Sequence, residues 1–248
     1  MQSIFVSNTA DDTLSEINLN DYSVNSYPLD LGEKPVGPHS ITYYKDKLIV
    51  SNSYNNSISI FSLEDKKEIK TMYIGAHPND IKVCDDKVYA VCGESNSMVE
   101  ADLASESLML SVPVGDYPHN IEIDEEEKIA YVSNLRSNVI SIVDLEKNAV
   151  IKSIKTYENP TKIFLSKDNK KLYLCESYLG RDMEGYITII STEDCRVIKR
   201  IRGGLSPVDF IVDEDKIYVT NSGEGTLSIV DINKGREVRK IYIGGMPK

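Results

Sequence analysis

Positive charge is scarce in this sequence. Lysine and arginine number 28 against 39 acidic residues, a formal net charge of −11. Nucleic-acid binders usually carry a basic face and anionic lipid attracts basic segments, so no nucleic-acid partner is expected. Long apolar runs are missing as well. Nothing approaches the roughly 18 residues of a membrane-spanning helix, so no membrane insertion is expected. The opening MQSIFVSNTADD lacks the charged and apolar regions of a signal peptide. The cytoplasm is the expected location, with the cell surface as the alternative if a signal segment precedes this stretch. The four cysteines, Cys84, Cys92, Cys175 and Cys195, show no CxxC spacing, which leaves neither a zinc site nor a disulfide framework indicated. Catalytic signatures are absent too: there is no GxSxG elbow, no GxxxxGK[ST] loop, no GxGxxG after a strand and no HExxH. Gly223 and Gly225 come nearest to a phosphate loop, but a strand pattern follows them where a helix would be needed. No cofactor is expected.

What the sequence has in quantity is repetition. The stretch IAYVSNLRSNVISIVDL at 129–145 holds two runs rich in β-branched and aromatic residues joined by a polar segment, a hairpin signal. Related runs end at Asn8, Asn52, Cys92, Asn134, Glu176 and Asn221, at intervals of 40–45 residues. A period near 42 belongs to four-stranded propeller blades or to helical arrays of similar length. The alternation in SISIFSL, VISIVDL and TLSIVDI decides for strands, because a helix needs apolar positions three and four apart.

Each unit divides into four strands. The first follows Pro38, Pro78, Pro118, Pro160 or Pro207, a residue suited to a strand's first position because it has no ladder donor to lose. An acidic turn leads to the second strand, the YVSN-like run. The SIVDL-like run is the third, and the fourth reads EIKTMYIG, LMLSVPVG or EVRKIYIG, closed by a glycine that permits a sharp return. The expected fold is all-β: one β-propeller domain over residues 1–248, with six repeats and four-stranded blades. The chain begins in a second strand and stops at Met246-Pro247-Lys248, where a further first strand would start. The first blade is therefore expected to lack its axial strand unless the parent chain continues, and a seven-bladed propeller is the alternative.

This repeat resembles the YVTN family of β-propellers, in the order proline, apolar strand, acidic turn, YVTN, VSVID-like strand and ATIPVG-like strand. The likeness covers nearly the whole chain. Cys92 and Glu176 depart from it, standing where the other four units have asparagine. The absence of tryptophan separates the chain from tryptophan-bearing WD-repeat and quinoprotein-type propellers. The resemblance implies surface-layer-like proteins, and similar propellers include lactone hydrolases.

In such a blade the proline end of the first strand and the loop after the second strand share one face, at the axial mouth. All three histidines fall there: His39, His77 and His119, each beside a leading proline. Asn79, Asp80, Asn120 and Asp209 lie on the same strand ends. The longest insertion, CESYLGRDMEGYITI, adds Glu176, Tyr178 and Arg181. Imidazoles with nearby carboxylates could hold a metal, but no ligand spacing fixes a shell and no metal is expected; polar residues beside proline cap backbone groups or pack at the channel entrance. At the opposite end the turn DEEE at 124–127 reads as a solvated turn, with calcium as the sharper reading. The expected function is non-catalytic binding or scaffolding, with a protein, peptide or small-molecule partner. A lactonase-like hydrolase using His39, His119, Asp80 and Asp209 is the alternative.

Overall fold

A computed structural model describes residues 3–29, 35–105 and 107–247. The chain is all-β, with no helix among the described residues, and its sheets are the blades of a six-bladed β-propeller. The first blade pairs β1 (Ser3–Asn8), β2 (Thr13–Asn18) and β3 (Val24–Pro28), three strands among the described residues. The second holds β4 (Pro38–Tyr44), β5 (Lys47–Asn52), β6 (Ser57–Ser62) and β7 (Lys67–Tyr73). The third holds β8 (Pro78–Cys84), β9 (Lys87–Cys92), β10 (Ser97–Asp102) and β11 (Ser107–Pro113). The fourth runs through β12 (Pro118–Asp124), β13 (Ile129–Asn134), β14 (Val139–Asp144) and β15 (Ala149–Lys155). The fifth comprises β16 (Pro160–Leu165), β17 (Lys171–Glu176), β18 (Glu184–Ser191) and β19 (Val197–Leu205). The sixth comprises β20 (Pro207–Asp213), β21 (Lys216–Asn221), β22 (Thr226–Asp231) and β23 (Arg236–Tyr242). Every blade is an antiparallel meander in chain order. The chain divides into two compact units, Met1–Ile121 and Glu122–Lys248.

Each first strand begins on its proline, as the missing backbone donor dictates, and the second strands end on the six repeat positions from Asn8 to Asn221. The fourth strands stop earlier than the glycines that close their sequence pattern, at Tyr73, Pro113 and Tyr242. The next amide has left the ladder. Ile74 N–H donates to Asn56 O at 3.1 Å, Val114 N–H to Asn96 O at 3.0 Å and Ile243 N–H to Gly225 O at 2.9 Å, each closing onto the loop between second and third strands.

Apolar residues pack between neighbouring blades. In the first unit Ile49, Ile58 and Ile74 meet Ile81, Val88 and Val99. In the second, Ile140 and Ile142 meet Ile163, Leu172 and Leu174, and Ile187 and Ile201 meet Phe210 and Val219. Both faces of a middle strand are covered, so all six residues of β6 are buried, its serines included. Asparagine satisfies those serines. Asn52 Nδ2 donates to Ser57 Oγ at 3.0 Å and Ser59 Oγ at 2.7 Å, and Asn221 does the same for Thr226 at 3.1 Å and Ser228 at 2.8 Å. A buried hydroxyl without a partner would cost about 1–3 kcal/mol, which explains why the asparagine and the serine recur together. The fourth strands, by contrast, end each sheet and expose alternate residues.

The turns between third and fourth strands repeat one carboxylate. Asp102 accepts from Ala104 N–H at 2.9 Å and Ser105 N–H at 2.6 Å, and Asp144 from Glu146 N–H at 3.1 Å and Lys147 N–H at 2.8 Å. Asp231 accepts from Lys234 N–H at 2.9 Å and pairs with Lys216 at 3.1 Å and Lys234 at 3.3 Å. Backbone donation from Lys234, then the two ammonium groups, hold the Asp231 carboxyl far below the usual aspartate range. The Ser105 amide does so for Asp102, and the Lys147 side chain leads for Asp144. A carboxyl lowered on folding stabilises the fold above its ordinary value and loses that contribution as pH falls through the lowered one. The urea midpoint is therefore expected to hold steady from about pH 7 to about pH 5 and to fall continuously below about pH 4. In Asp231→Asn that acid decline should be shallower; an unchanged slope would remove Asp231 from the account.

Candidate functional site

The first unit places three homologous strand ends side by side. The positions two residues past Pro38, Pro78 and Pro118 are Ser40, Asp80 and Asn120. Asp80 is 8% exposed and takes a donor from each neighbour. Ser40 Oγ donates to Asp80 Oδ1 at 2.5 Å, Asn120 Nδ2 donates to Oδ2, and the amides of Ile81 and Ile121 donate to Oδ1 at 2.9 Å and Oδ2 at 3.1 Å. Both carboxylate oxygens are occupied. A register shift lies between Pro38 and Ile41 and again between Pro78 and Asp80, so each strand bulges just past its proline and re-aims the next side chains.

The positions directly after proline join the same network. The Asn79 amide, 3% exposed, donates to Pro118 O at 2.8 Å, and Ser53 Oγ donates to Pro78 O at 3.0 Å. His39 is exposed, with Nδ1 2.7 Å from Asn79 O, a contact that requires the Nδ1–H tautomer or the imidazolium. His119 occupies the matching position two repeats on and is half-buried. His77 belongs to a different position. It precedes its proline in a left-handed conformation at φ 55, where Gly37 (φ 65) and Tyr117 (φ 56) stand in neighbouring repeats, and its ring tilts over Tyr117 at 5.9 Å. Among the described residues no group of three or more histidine, cysteine, aspartate or glutamate side chains has an arrangement that could hold a metal ion.

The second unit carries Asp209, Glu176, Tyr178 and Arg181. Asp209 repeats the Asp80 position, is half-buried, and lies 3.9 Å from Lys162 Nζ of the preceding blade. Its Oδ1 also accepts from Phe210 N–H at 2.7 Å. Arg181, its side chain 63% exposed, reaches Glu158 at 3.4 Å, and Tyr178 is half-buried with its carbonyl accepting from Arg181 N–H at 3.0 Å.

Glu176 is the more informative position. It is 1% exposed and accepts from Tyr157 N–H at 2.8 Å, Thr188 Oγ1 at 2.6 Å and Arg200 Nε at 3.2 Å. The Arg200 guanidinium lies between two rings, 3.4 Å from the Tyr157 centroid and 3.7 Å from that of Tyr186. Sequence reading found Glu176 but missed Arg200, Tyr157 and Tyr186. A signal existed. Tyr157 stands where four other repeats have Gly75, Gly115, Gly204 and Gly244, so two departures from the pattern fall at positions that touch.

The ordinary glycine shows why that departure needs compensation. Gly204 N–H donates to Asn221 Oδ1 at 3.1 Å, and a Cβ there would overlap the Asn221 carboxamide and the Glu224 carboxylate. Gly204→Ala is expected to cost about 2–3 kcal/mol, read as a thermal midpoint lower by about 5–10 °C. Gly180→Ala meets no atom within 4 Å but sits at φ +75, and should cost about 1 kcal/mol from backbone strain alone. Equal losses in the two variants would show that steric overlap is not the cause at Gly204. The third blade resolves the same position differently. Cys92 replaces asparagine, Val99 replaces serine, and burial pushes the Cys92 thiol up to about 12, which keeps it protonated and inert.

No family model matches the chain. It is 28% identical over 197 residues to antigen Lp49 of Leptospira interrogans, covering 72% of this chain. The chain spans 43% of that relative's length. Among solved structures, hydrazine synthase of Kuenenia stuttgartiensis superposes with a TM-score of 0.83 at 18% identity, covering 99% of this chain and 84% of that one. A functionally unknown protein from Desulfotomaculum acetoxidans superposes with a TM-score of 0.77 at 15% identity, covering 98% and 84%. These structural likenesses establish the propeller fold.

Proposed function

We infer that this chain is a non-catalytic binding or scaffolding propeller that receives a protein or peptide at the proline ends of its blades, with the insertion of the fifth blade as the main contact. The carrying observation is that insertion. Between β17 and β18 it exposes Leu179 at 41% and Met183 at 47% beside Arg181, while Tyr157 is 64% exposed on the neighbouring loop. Arginine, methionine and tyrosine are the residue types enriched where proteins meet. The buried Glu176 and the half-buried Arg200 anchor the base of the insertion, so the exposed groups stand on a rigid support. A propeller fold in general supports binding, although fold alone never names a ligand. The name of the Leptospira relative, an antigen, supports the cell-surface alternative for location.

The hydrolase reading, with its small lactone substrate, would need His39, His119, Asp80 and Asp209 as acid, base or ligand. Asp80 already holds four structural donors, which leaves its carboxylate no free oxygen edge to take a proton from water. A photo-crosslinking residue at Arg181 should trap a discrete partner in the native host, and Leu179→Asp with Met183→Asp should abolish the product while leaving the thermal midpoint within about 2 °C. Turnover of any lactone, with or without divalent metal, that disappears in His39→Ala or His119→Ala would overturn the non-catalytic assignment.

A further inference from the structure

At the turn ends of the fourth and fifth blades, within the second unit, three turns border an open pocket of about 450 Å³. Asp124 ends β12, Glu126 and Glu127 come from the turn after it, Asp168 and Asn169 from the turn after β16, and Thr192 and Glu193 from the turn after β18. Ile129 and Tyr131 form its apolar wall, and no lysine or arginine lines it. Five carboxylates thus face one space without a cation among the lining residues.

Two buried groups distinguish this pocket from a solvated acidic turn. Asp124 is 5% exposed, and its Oδ1 is fully engaged, accepting from Glu126 N–H at 3.1 Å, Glu127 N–H at 3.1 Å and Asn169 Nδ2 at 2.9 Å. Its Oδ2 accepts no hydrogen bond among the described residues. Tyr131 is 6% exposed and lines the pocket, and its hydroxyl likewise has no hydrogen-bond partner among the described residues. The homologous Tyr89 differs, because the buried carboxylate of Glu100 lies near it within its own blade. Burial first, and the Asp124 carboxylate second, raise the Tyr131 phenol to about 12, so it presents a neutral hydroxyl. Ser166 holds Asp168 below the usual aspartate range, keeping that wall ionised.

The geometry points to a binding site for a primary alkylammonium group, its charge set against Asp124 Oδ2 and the Tyr131 hydroxyl and its methylenes lying along Ile129 and the Tyr131 ring. An ammonium brings three donors and no acceptor, matching a pocket that offers oxygens throughout. A calcium or magnesium ion needs six or more converging oxygens, or near-octahedral geometry, and the described side chains form no such group. The ammonium is carried either by a free polyamine or by a lysine side chain of a basic peptide. This site stands independently of the proline-end function.

Calorimetric titration of the 248-residue chain at low salt tests it, with spermidine, Nα-acetyl-lysine amide and calcium chloride as separate titrants. Spermidine should bind saturably at one site per chain. Its affinity should fall about tenfold or more in Glu127→Gln/Glu193→Gln and severalfold in Tyr131→Phe, which removes only the hydroxyl. The control Glu64→Gln/Glu146→Gln removes the same charge from exposed turns elsewhere and should leave binding unchanged. Saturable binding of the lysine amide as well assigns the site to an ammonium from either source; spermidine alone assigns it to free polyamines. Absence of saturable binding by both amines, equal loss in the control, or calcium binding that the pocket variant abolishes would each overturn the proposal.

Discussion

Replacing Asp80 with alanine is expected to lower the unfolding free energy by about 3–5 kcal/mol, the largest single loss in the molecule. The carboxylate is 8% exposed and receives the Ser40 hydroxyl, the Asn120 carboxamide and the amides of Ile81 and Ile121. Alanine leaves four donors without an acceptor where water has little access. Asp80→Asn keeps one oxygen and turns an NH₂ group toward the remaining donors, so it should cost roughly half as much. Asn120→Ala removes one donor and spares the charge, and about 1–2 kcal/mol is expected. Urea unfolding curves of the three variants measure the order. A loss below about 1 kcal/mol for Asp80→Ala would mean that solvent replaces the protein donors, contrary to the burial.

The second large effect is in the fifth blade. Arg200→Met should cost about 3 kcal/mol, because it strands the Glu176 carboxylate at 1% exposure without its cation. Glu176→Gln/Arg200→Met removes both charges together. The thioether then fills the space between Tyr157 and Tyr186, where sulfur packs well on aromatic rings. The double variant should recover to within about 1 kcal/mol of the parent, since a buried ion pair and an apolar replacement of similar volume are often equal in stability. A double-mutant cycle reads the coupling directly. If the double variant is as unstable as Arg200→Met, the arginine stabilises through its stacking on the tyrosines and not through its charge.

The repeat was legible because it is written in positions that cannot vary freely. The leading prolines, the asparagine that ends four of the six second strands and the acidic turn residues each answer a local demand, and the repeated copies reinforce the signal. The serines of the third strands were harder to interpret. Ser57 and Ser59 alternate with isoleucine as solvent-facing residues would, yet they are buried and hold the Asn52 carboxamide. The histidines drew attention by rarity. Their strand ends were placed correctly, but the polar residues beside them, Asn79, Asp80 and Asn120, are joined by hydrogen bonds between residues about 40 positions apart, which no local pattern displays. Arg200 escaped notice for a related reason. Its partner Glu176 lies 24 residues away and its two rings come from separate elements, so only alignment of the repeats exposes the shared departure at Tyr157 and Glu176.

The exposed fourth strands carry one more consequence, for self-association. Each ends its sheet, and an unpaired strand invites another chain to add to the ladder unless charge or proline discourages it. In a molecule of net charge −11 these strands are conspicuously basic: Lys67 and Lys70 on β7, Lys152 and Lys155 on β15, Lys199, Arg200 and Arg202 on β19, and Arg236, Arg239 and Lys240 on β23. Of the five four-stranded blades, only the third has a fourth strand, SLMLSVP, with no lysine or arginine, and it exposes Leu108 at 47%. Its terminal Pro113 guards one end and leaves the rest of β11 the least charged of those five edges, a place where crowding or partial unfolding would join one copy of the chain to another.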